Sequence, residues 1–486
     1  MHSKIQKLGE LENVLCNNEK VSEGLLGLFS SFQISSLLRP FDEIKEKGFK
    51  VSTIIMVLCL YRLQGLSVWA MHKTGYSQFF KGDENSIYRF MNHSFMNWRK
   101  LLLSFARQFV KITAAKGDGC RSKKCFILDD SDLEKTGRTI EFISRIFNHV
   151  VGKHVLGFKL LALGYWDGKS LIATDFSLHR EKGKNGNYGL NKKERKRQFN
   201  KSRNKKTPGS KRVKELDQKK TQVAVSMIKR AVKNGLSASY VLMDTWFTHE
   251  YIISSIRSIK EGMLHIIGMC RMDNRKYLVD GKELNSKQII TRYERKKGKY
   301  SRKYKSRYIT IVADYKGEKV KLFYIKYRNA KDWRLLLTTD LTLKFTGAVE
   351  LYQIRWSIEV LFKECKQYLR LGECQNTDFD GQIADVTLTL ITHTILTLQK
   401  RFEAYETMGE LFRETQQHLL ELTLWERILK VFIKMIQQLM ELFNIDIDEM
   451  IEKILNQDQV SRQILIVLKT LEENEDNGEI FEKIAA

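Results

Sequence analysis

The chain has 486 residues, 43% hydrophobic and 10% aromatic, enough for two or three domains with sizeable cores. Its 83 Lys and Arg against 57 Asp and Glu leave a net charge of +26, which on a globular chain points to a polyanion, above all nucleic acid. The apolar run around Val51 to Tyr61 is too short to span a bilayer and no signal peptide precedes it, so the reading is a cytoplasmic protein without a membrane partner.

Residues 1–115 read as helical. KVSTIIMVLCLYRLQGLSVWAMHKTG carries helical periodicity, and NSIYRFMNHSFMNWRKLLLSFARQFVKIT forms a second unit that Asn85 or Ser86 would cap. Its basic and aromatic clusters suit a DNA-end-binding region, or equally an all-α packing domain. From about residue 116 strands begin. KKCFILDDS ends in acids, and GFKLLALGYWDGKSLIATDFSL is two strands joined at Asp167-Gly168, a two-residue hairpin signal. The stretch from Arg180 to Lys220 holds 17 basic and 4 acidic residues and reads as a mobile basic loop. A helix ending at Gly235, the strand SYVLMD, the helix THEYIISSIRSIKEG and the strand MLHIIGMCR follow. Residues 272–342 are strand-rich, 343–400 helical, and 401–486 an acidic helical region with 18 acids against 9 bases.

Leaving the basic stretch aside, the order is β-β-β-α-β-α-β, an insertion, then α. That describes an α/β (α+β) chain: a ribonuclease-H-like mixed-sheet core (116–271 and 343–400) with a β-rich insertion, flanked by N- and C-terminal helical regions. The seven cysteines are scattered without CxxC pairs, which argues for reduced structural thiols and against zinc.

Phosphodiester chemistry with two metal ions needs carboxylates from separate elements converging at one sheet edge. Asp129, Asp130 and Asp132 end the first strand, Asp244 ends the fourth, and Glu359 lies in the helix-like run Leu351 to Arg370. On that run Tyr352, Arg355, Glu359, Lys363, Lys366 and Arg370 share one stripe, with Leu351, Ile354, Ile358, Leu361, Cys365 and Leu369 on a core-facing one. Taken singly, each acid reads as well as a turn residue, a helix cap or a surface ion pair. Together, in that order and in so basic a chain, they read as a metal site.

On these residues the chain resembles the DDE transposases of the insertion-sequence-four family. Their signature of Tyr, two residues, Arg, three residues, Glu, six residues and Lys is met by Tyr352, Arg355, Glu359 and Lys366. ILDDS and VLMD-Thr245 match their two aspartate segments, and the resemblance spans roughly residues 85–400. It implies Asp130, Asp244 and Glu359 as catalytic residues and metal ligands for two Mg²⁺ ions, with Mn²⁺ a substitute. Asp130 is preferred over Asp129, which would face the other side of the strand. The resemblance also implies DNA binding by Tyr352, Arg355 and Lys366. Trp356 and, in the insertion, Trp333 are candidates for stacking on a flipped base; Trp333 reads more simply as a core tryptophan. The implied activity is cutting at the ends of a bacterial mobile element and joining the 3′-OH to target DNA. The implied partners are double-stranded DNA, as terminal inverted repeats and target, and a second copy in a synaptic homodimer, on the nucleoid. A ribonuclease-H-like nuclease without strand transfer, or a decayed transposase acting only as a DNA-binding protein, are the alternatives.

Overall fold

The computed structural model describes residues 32–45, 48–73, 83–116, 122–402, 407–413 and 415–416. Cys16, Cys120 and nearly all of the acidic region at 401–486 lie outside the described residues. The chain divides into two compact units, residues 1–90 with 398–486, and residues 91–397.

In the first unit, helices α1 (Ile34–Leu38), α2 (Val51–Leu63) and α3 (Val68–Lys73) precede α4 (Glu84–Met91). Helix α2 is apolar on nearly every side and correspondingly buried from Val51 to Leu63, apart from Thr53 and Arg62. Asp42 Oδ1 accepts from Val51 N at 2.8 Å and so satisfies a donor at its start. The cap of α4 is Asp83, not Asn85 or Ser86: Asp83 Oδ1 accepts from Ser86 N at 2.8 Å. No helix among the described residues is long and apolar enough to cross a membrane.

The second unit opens with α5 (Trp98–Ala115), capped by Asn97, and then builds one sheet. Strands β1 (Cys125–Glu134), β2 (Ser144–Asn148), β3 (Lys153–Trp166) and β4 (Leu171–His179) are antiparallel neighbours. Both β2 and β4 pair with the edge of β3 opposite β1. Close pairing of β1 and β3 requires glycine at position 157, since a Cβ there would lie 2.2 Å from Leu133 O. The β3–β4 loop is residues 167–170, longer than the expected two-residue turn. Asp167 Oδ1 accepts from Lys169 N (3.0 Å) and Ser170 N (2.9 Å), and Gly168 takes φ +113°.

The stretch between β4 and β5 is not a mobile loop. It forms α6 (Lys192–Arg197), α7 (Pro208–Glu215) and the start of α8 (Lys220–Lys233). Several of its cations are held by acids elsewhere in the unit. Arg203, 4% exposed, reaches Glu141 at 2.5 Å, Asp380 at 2.9 Å and Asp378 at 3.0 Å, and Lys201 reaches Asp378 at 2.7 Å. Composition alone suggested solvation; paired buried charge produces order instead.

Strands β5 (Tyr240–Met243) and β6 (His265–Cys270), joined through α9 (Glu250–Arg257), run parallel to β1. The core order β4-β3-β1-β5-β6, antiparallel then parallel, is the ribonuclease-H-like arrangement. The insertion supplies β7 (Lys276–Val279), β8 (Lys282–Asn285), α10 (Ser286–Lys297), β9 (Gly298–Ser301), β10 (Ser306–Tyr315), β11 (Glu318–Tyr327) and β12 (Arg334–Thr338). Because β12 pairs antiparallel with β6, the insertion continues the core sheet to twelve strands.

The helix-like run from Leu351 is two helices, α11 (Phe345–Gln353) and α12 (Trp356–Tyr368), followed by α13 (Phe379–Phe402). Between α11 and α12 the backbone tightens to i→i−3 bonds, Ile354 N to Leu351 O (3.2 Å) and Arg355 N to Tyr352 O (3.0 Å). Ser357 Oγ also donates to Ile354 O at 2.7 Å. Ile358, Leu361, Cys365 and Leu369 are buried as the core-facing stripe required, while Leu351 and Ile354, at the break, are only half-buried.

Candidate active site

Parallel pairing of β1 with β5 ends at Leu128 against Met243, which sets the next residues, Asp129 and Asp244, side by side; the β1 aspartates do not end the first strand as expected, because β1 runs on against β3 to Glu134. Helix α12 packs on β1 and brings Arg355 and Glu359 over Asp129 and Asp244. The result is a cavity of about 740 Å³ whose charged walls are Asp129, Asp130, Asp244, Arg355, Glu359 and Lys366, together with Lys363. Lys363 remains an exposed side chain at that wall. Arg370 faces elsewhere and pairs with Glu373 at 2.6 Å.

Successive residues of a strand face opposite ways, and the two aspartates take different partners. Asp129 accepts from Arg355 Nη1 at 2.9 Å, and Arg355 Nη2 reaches Glu359 Oε1 at 2.6 Å, so one guanidinium bridges two carboxylates. Asp130 pairs with Lys220 at the start of α8. Asp132 is taken by Lys159 on β3 at 2.5 Å. Burial raises the Asp129 carboxyl to about 7, and the charges of Asp244 and Asp130 add to the rise while Arg355 opposes it. Asp244 is raised as well, by burial first and also by Asp130.

Asp244 caps no helix. Its Oδ1 accepts from Trp246 N (3.0 Å) and Phe247 N (3.3 Å) in the turn after β5, and α9 starts only at Glu250. Lys366 Nζ donates to Ser131 Oγ at 2.8 Å, which ties α12 to β1.

Tyr352 lies beneath Arg355, whose guanidinium carbon is 5.7 Å from the ring centroid, and burial pushes its phenol up to about 12. It faces a second cavity of about 460 Å³ that also holds Asp244, Tyr327 and Trp333. Trp333 is half-buried ahead of β12, so it is a cavity wall rather than a core tryptophan. Trp356 stands 62% exposed and lines neither of these two cavities. Sequence reasoning missed Lys220 and Trp246. Nothing local marks Lys220, whereas the position of Trp246 two residues after Asp244 was a usable signal.

The donor set is all oxygen. Asp130 and Asp244 both push the Asp129 carboxyl up, and Asp130 does the same to Asp244, a crowding that a hard divalent cation would relieve. In the conformation described, Arg355 and Lys220 satisfy those oxygens. Among the described residues no three His, Cys, Asp or Glu are arranged to hold an ion. Cys125 and Cys270 are buried, with thiols raised to about 12 by that burial, and Cys59 and Cys365 are buried as well.

No curated protein matches the chain. The family model for DDE superfamily endonucleases matches residues 54–318, more than half of the sequence, taking in β1 and Asp244 and stopping short of Glu359. With a ribonuclease-H-like sheet that gathers Asp129, Asp130 and Asp244 at one edge, the chain belongs to the DDE superfamily endonucleases.

Proposed function

We propose that this chain is the transposase of a bacterial insertion sequence, of the insertion-sequence-four type. It cuts DNA at the element's ends and joins the freed 3′-OH to target DNA. The observation that carries this reading is the meeting of the β1 aspartates and Asp244 with Glu359 in one cavity whose other charged walls are Arg355, Lys363 and Lys366. Asp130, Asp244 and Glu359 would hold two Mg²⁺ ions, for which Mn²⁺ is a substitute. Bound there, the ions would polarise the phosphodiester and acidify the attacking water. Asp129, level with Asp244, is the competing first ligand.

The remaining work falls to the protein's own side chains. Arg355, Lys363 and Lys366 offset the charge that builds on the phosphoryl oxygens. Tyr352 holds the Arg355 guanidinium from below, and Trp356 and Trp333 offer faces to unstacked bases. In the first displacement, water attacks phosphorus and the 3′-oxygen leaves as a hydroxyl. In the second, that hydroxyl attacks a target phosphodiester and the target's own 3′-oxygen departs. Both are in-line displacements at phosphorus, so one site serves both. Two copies, each on a terminal inverted repeat, would form the synaptic complex.

Strand transfer of a pre-cleaved end into plasmid tests this, with Asp129→Ala, Asp130→Ala, Asp244→Ala and Glu359→Ala as controls. Joining that is lost in the Asp244 and Glu359 variants and in one of the β1 variants supports the proposal and identifies the first ligand. Cleavage without joining identifies a nuclease, and binding with neither identifies a DNA-binding protein.

A further inference from the structure

A third cavity, of about 570 Å³, opens where the end of β4, the start of α8 and the turn after Asp244 meet. It shares a wall with the acidic site, because Lys220 lines it and also pairs with Asp130. Two aromatic side chains border it and remain partly in solvent, Trp246 at 44% and Tyr251 at 42% exposed. Neither ring is buried in a core. Trp246 meets Phe247 edge-on with centroids 4.8 Å apart, and Tyr251 stacks on His249 at 6.4 Å and 23°. Lys220 Nζ stands 4.9 Å from the Trp246 ring centroid. Lys219 and Arg180 add positive charge, that of Arg180 being offset by Asp217 at 2.6 Å, and no carboxylate lines the cavity.

Exposed aromatic faces beside ammonium groups, with no acid among them, suit a base and its phosphate. A volume within the roughly 300–1,000 Å³ of small-ligand sites is of the size of a nucleotide or two. We propose that this cavity is a single-strand subsite that takes an unpaired DNA nucleotide next to the scissile phosphate. Trp246 and Tyr251 stack the base, and Lys219 and Lys220 hold its phosphate. The proposal rests on the endonuclease reading above and adds a place for the strand that leaves the duplex. Lys220 connects the two sites: a phosphate in the cavity competes with Asp130 for its ammonium, so strand entry frees an Asp130 oxygen. Trp246 is two residues from Asp244, so the stacked base and the acidic edge are held by one turn.

The test uses the full chain in EDTA, so that nothing is cut, and two fluorescein-labelled probes. One is a blunt duplex; the other is the same duplex with a single-stranded extension of about four nucleotides. The readout is the ratio of the two dissociation constants by anisotropy, which discounts any general loss of folded protein. The unsubstituted chain should prefer the extended probe about tenfold, the size of one base–aromatic stack. Trp246→Ala should bring the ratio close to one, Lys219→Ala should lower it, and Trp246→Phe, which keeps a stacking face, should retain most of it. Tyr251→Ala makes the same comparison should Trp246→Ala fail to fold. A chain without the preference, or a ratio unchanged in both Trp246→Ala and Tyr251→Ala, overturns the proposal. Cleavage and joining with Mg²⁺, measured in parallel, separate the two readings. Lost catalysis with the preference intact sinks the transposase reading alone, and intact catalysis without the preference sinks the subsite alone.

Discussion

Asp129 follows Leu128 on β1 and Asp244 follows Met243 at the end of β5, and because Leu128 and Met243 are paired in parallel register, the two residues stand side by side. Two half-buried acids in that position need a counter-charge, and Arg355 supplies it to one of them by bridging Asp129 to Glu359. Arg355 therefore stands where a cation is wanted.

Arg355→Gln should destabilise the chain by up to about 3 kcal/mol in EDTA, since it leaves Asp129 and Glu359 uncompensated. Millimolar Mg²⁺ should restore more stability to this variant than it adds to the unsubstituted chain. Urea unfolding with and without Mg²⁺ measures both effects. Equal gains in the two proteins would mean that these acids do not bind the ion.

Gly268 on β6 faces Thr248, whose Oγ1 donates to Asp244 O at 2.8 Å. A Cβ at 268 would lie 2.3 Å from Thr248 Oγ1 and 3.1 Å from Met243 Cγ. Gly268→Ala should therefore cost about 1–3 kcal/mol and push the Asp244 turn out of place. Activity should fall further than stability, as seen by comparing the cleavage rate with the melting curve.

Asp175, 4% exposed, accepts from Arg99 at 2.9 Å and from Arg230 at 2.7 Å. These arginines hold its carboxyl below the usual range despite its burial. Asp175→Asn leaves the guanidinium groups facing one another and should cost about 3–5 kcal/mol. Sheltered from counterions, the loss should persist in high salt, where a surface pair would have faded.

His179 is 3% exposed with Ser177 Oγ at 2.7 Å, and burial lowers its pKa to about 4. The folded chain keeps it neutral while the unfolded chain protonates near 6.5, so the unfolded state binds more protons between those values. Its contribution is intact above pH 6.5 and is lost as pH falls towards 4, by roughly 3 kcal/mol in all. His179→Gln should flatten that part of the stability profile. The same slope in both proteins would assign it to other groups.

Helix α6 carries Lys192, Lys193, Arg195, Lys196 and Arg197 on exposed positions. Changing all five to Gln should weaken binding to any duplex and reduce the slope of log affinity against log salt, by about 0.9 for each phosphate that is no longer neutralised. Weaker binding with an unchanged slope would remove this helix from the DNA interface.

The order of strands and helices was legible because alternating apolar patterns and turn residues act locally. The spacing of Glu359, Lys363 and Lys366 was legible for the same reason, since side chains three or four residues apart share a helix face, whereas the break that sets Tyr352 on a separate helix was not. What no local pattern carries is pairing across distance. Charge in 180–220 looked like solvated excess until Glu141, Asp378 and Asp380 arrived from elsewhere to pair with Lys201 and Arg203. Alternation along β1 separates Asp129 from Asp130, but only the register with β5 decides which lies level with Asp244. Lys220 reaches Asp130 across 90 residues of chain, a pairing that exists only once α8 has packed. Composition, periodicity and spacing thus determined the order of most elements and which of them carry the acids and cations. The tertiary structure decided which charges meet, because electrostatic partnership depends on distance and burial rather than on position in the chain.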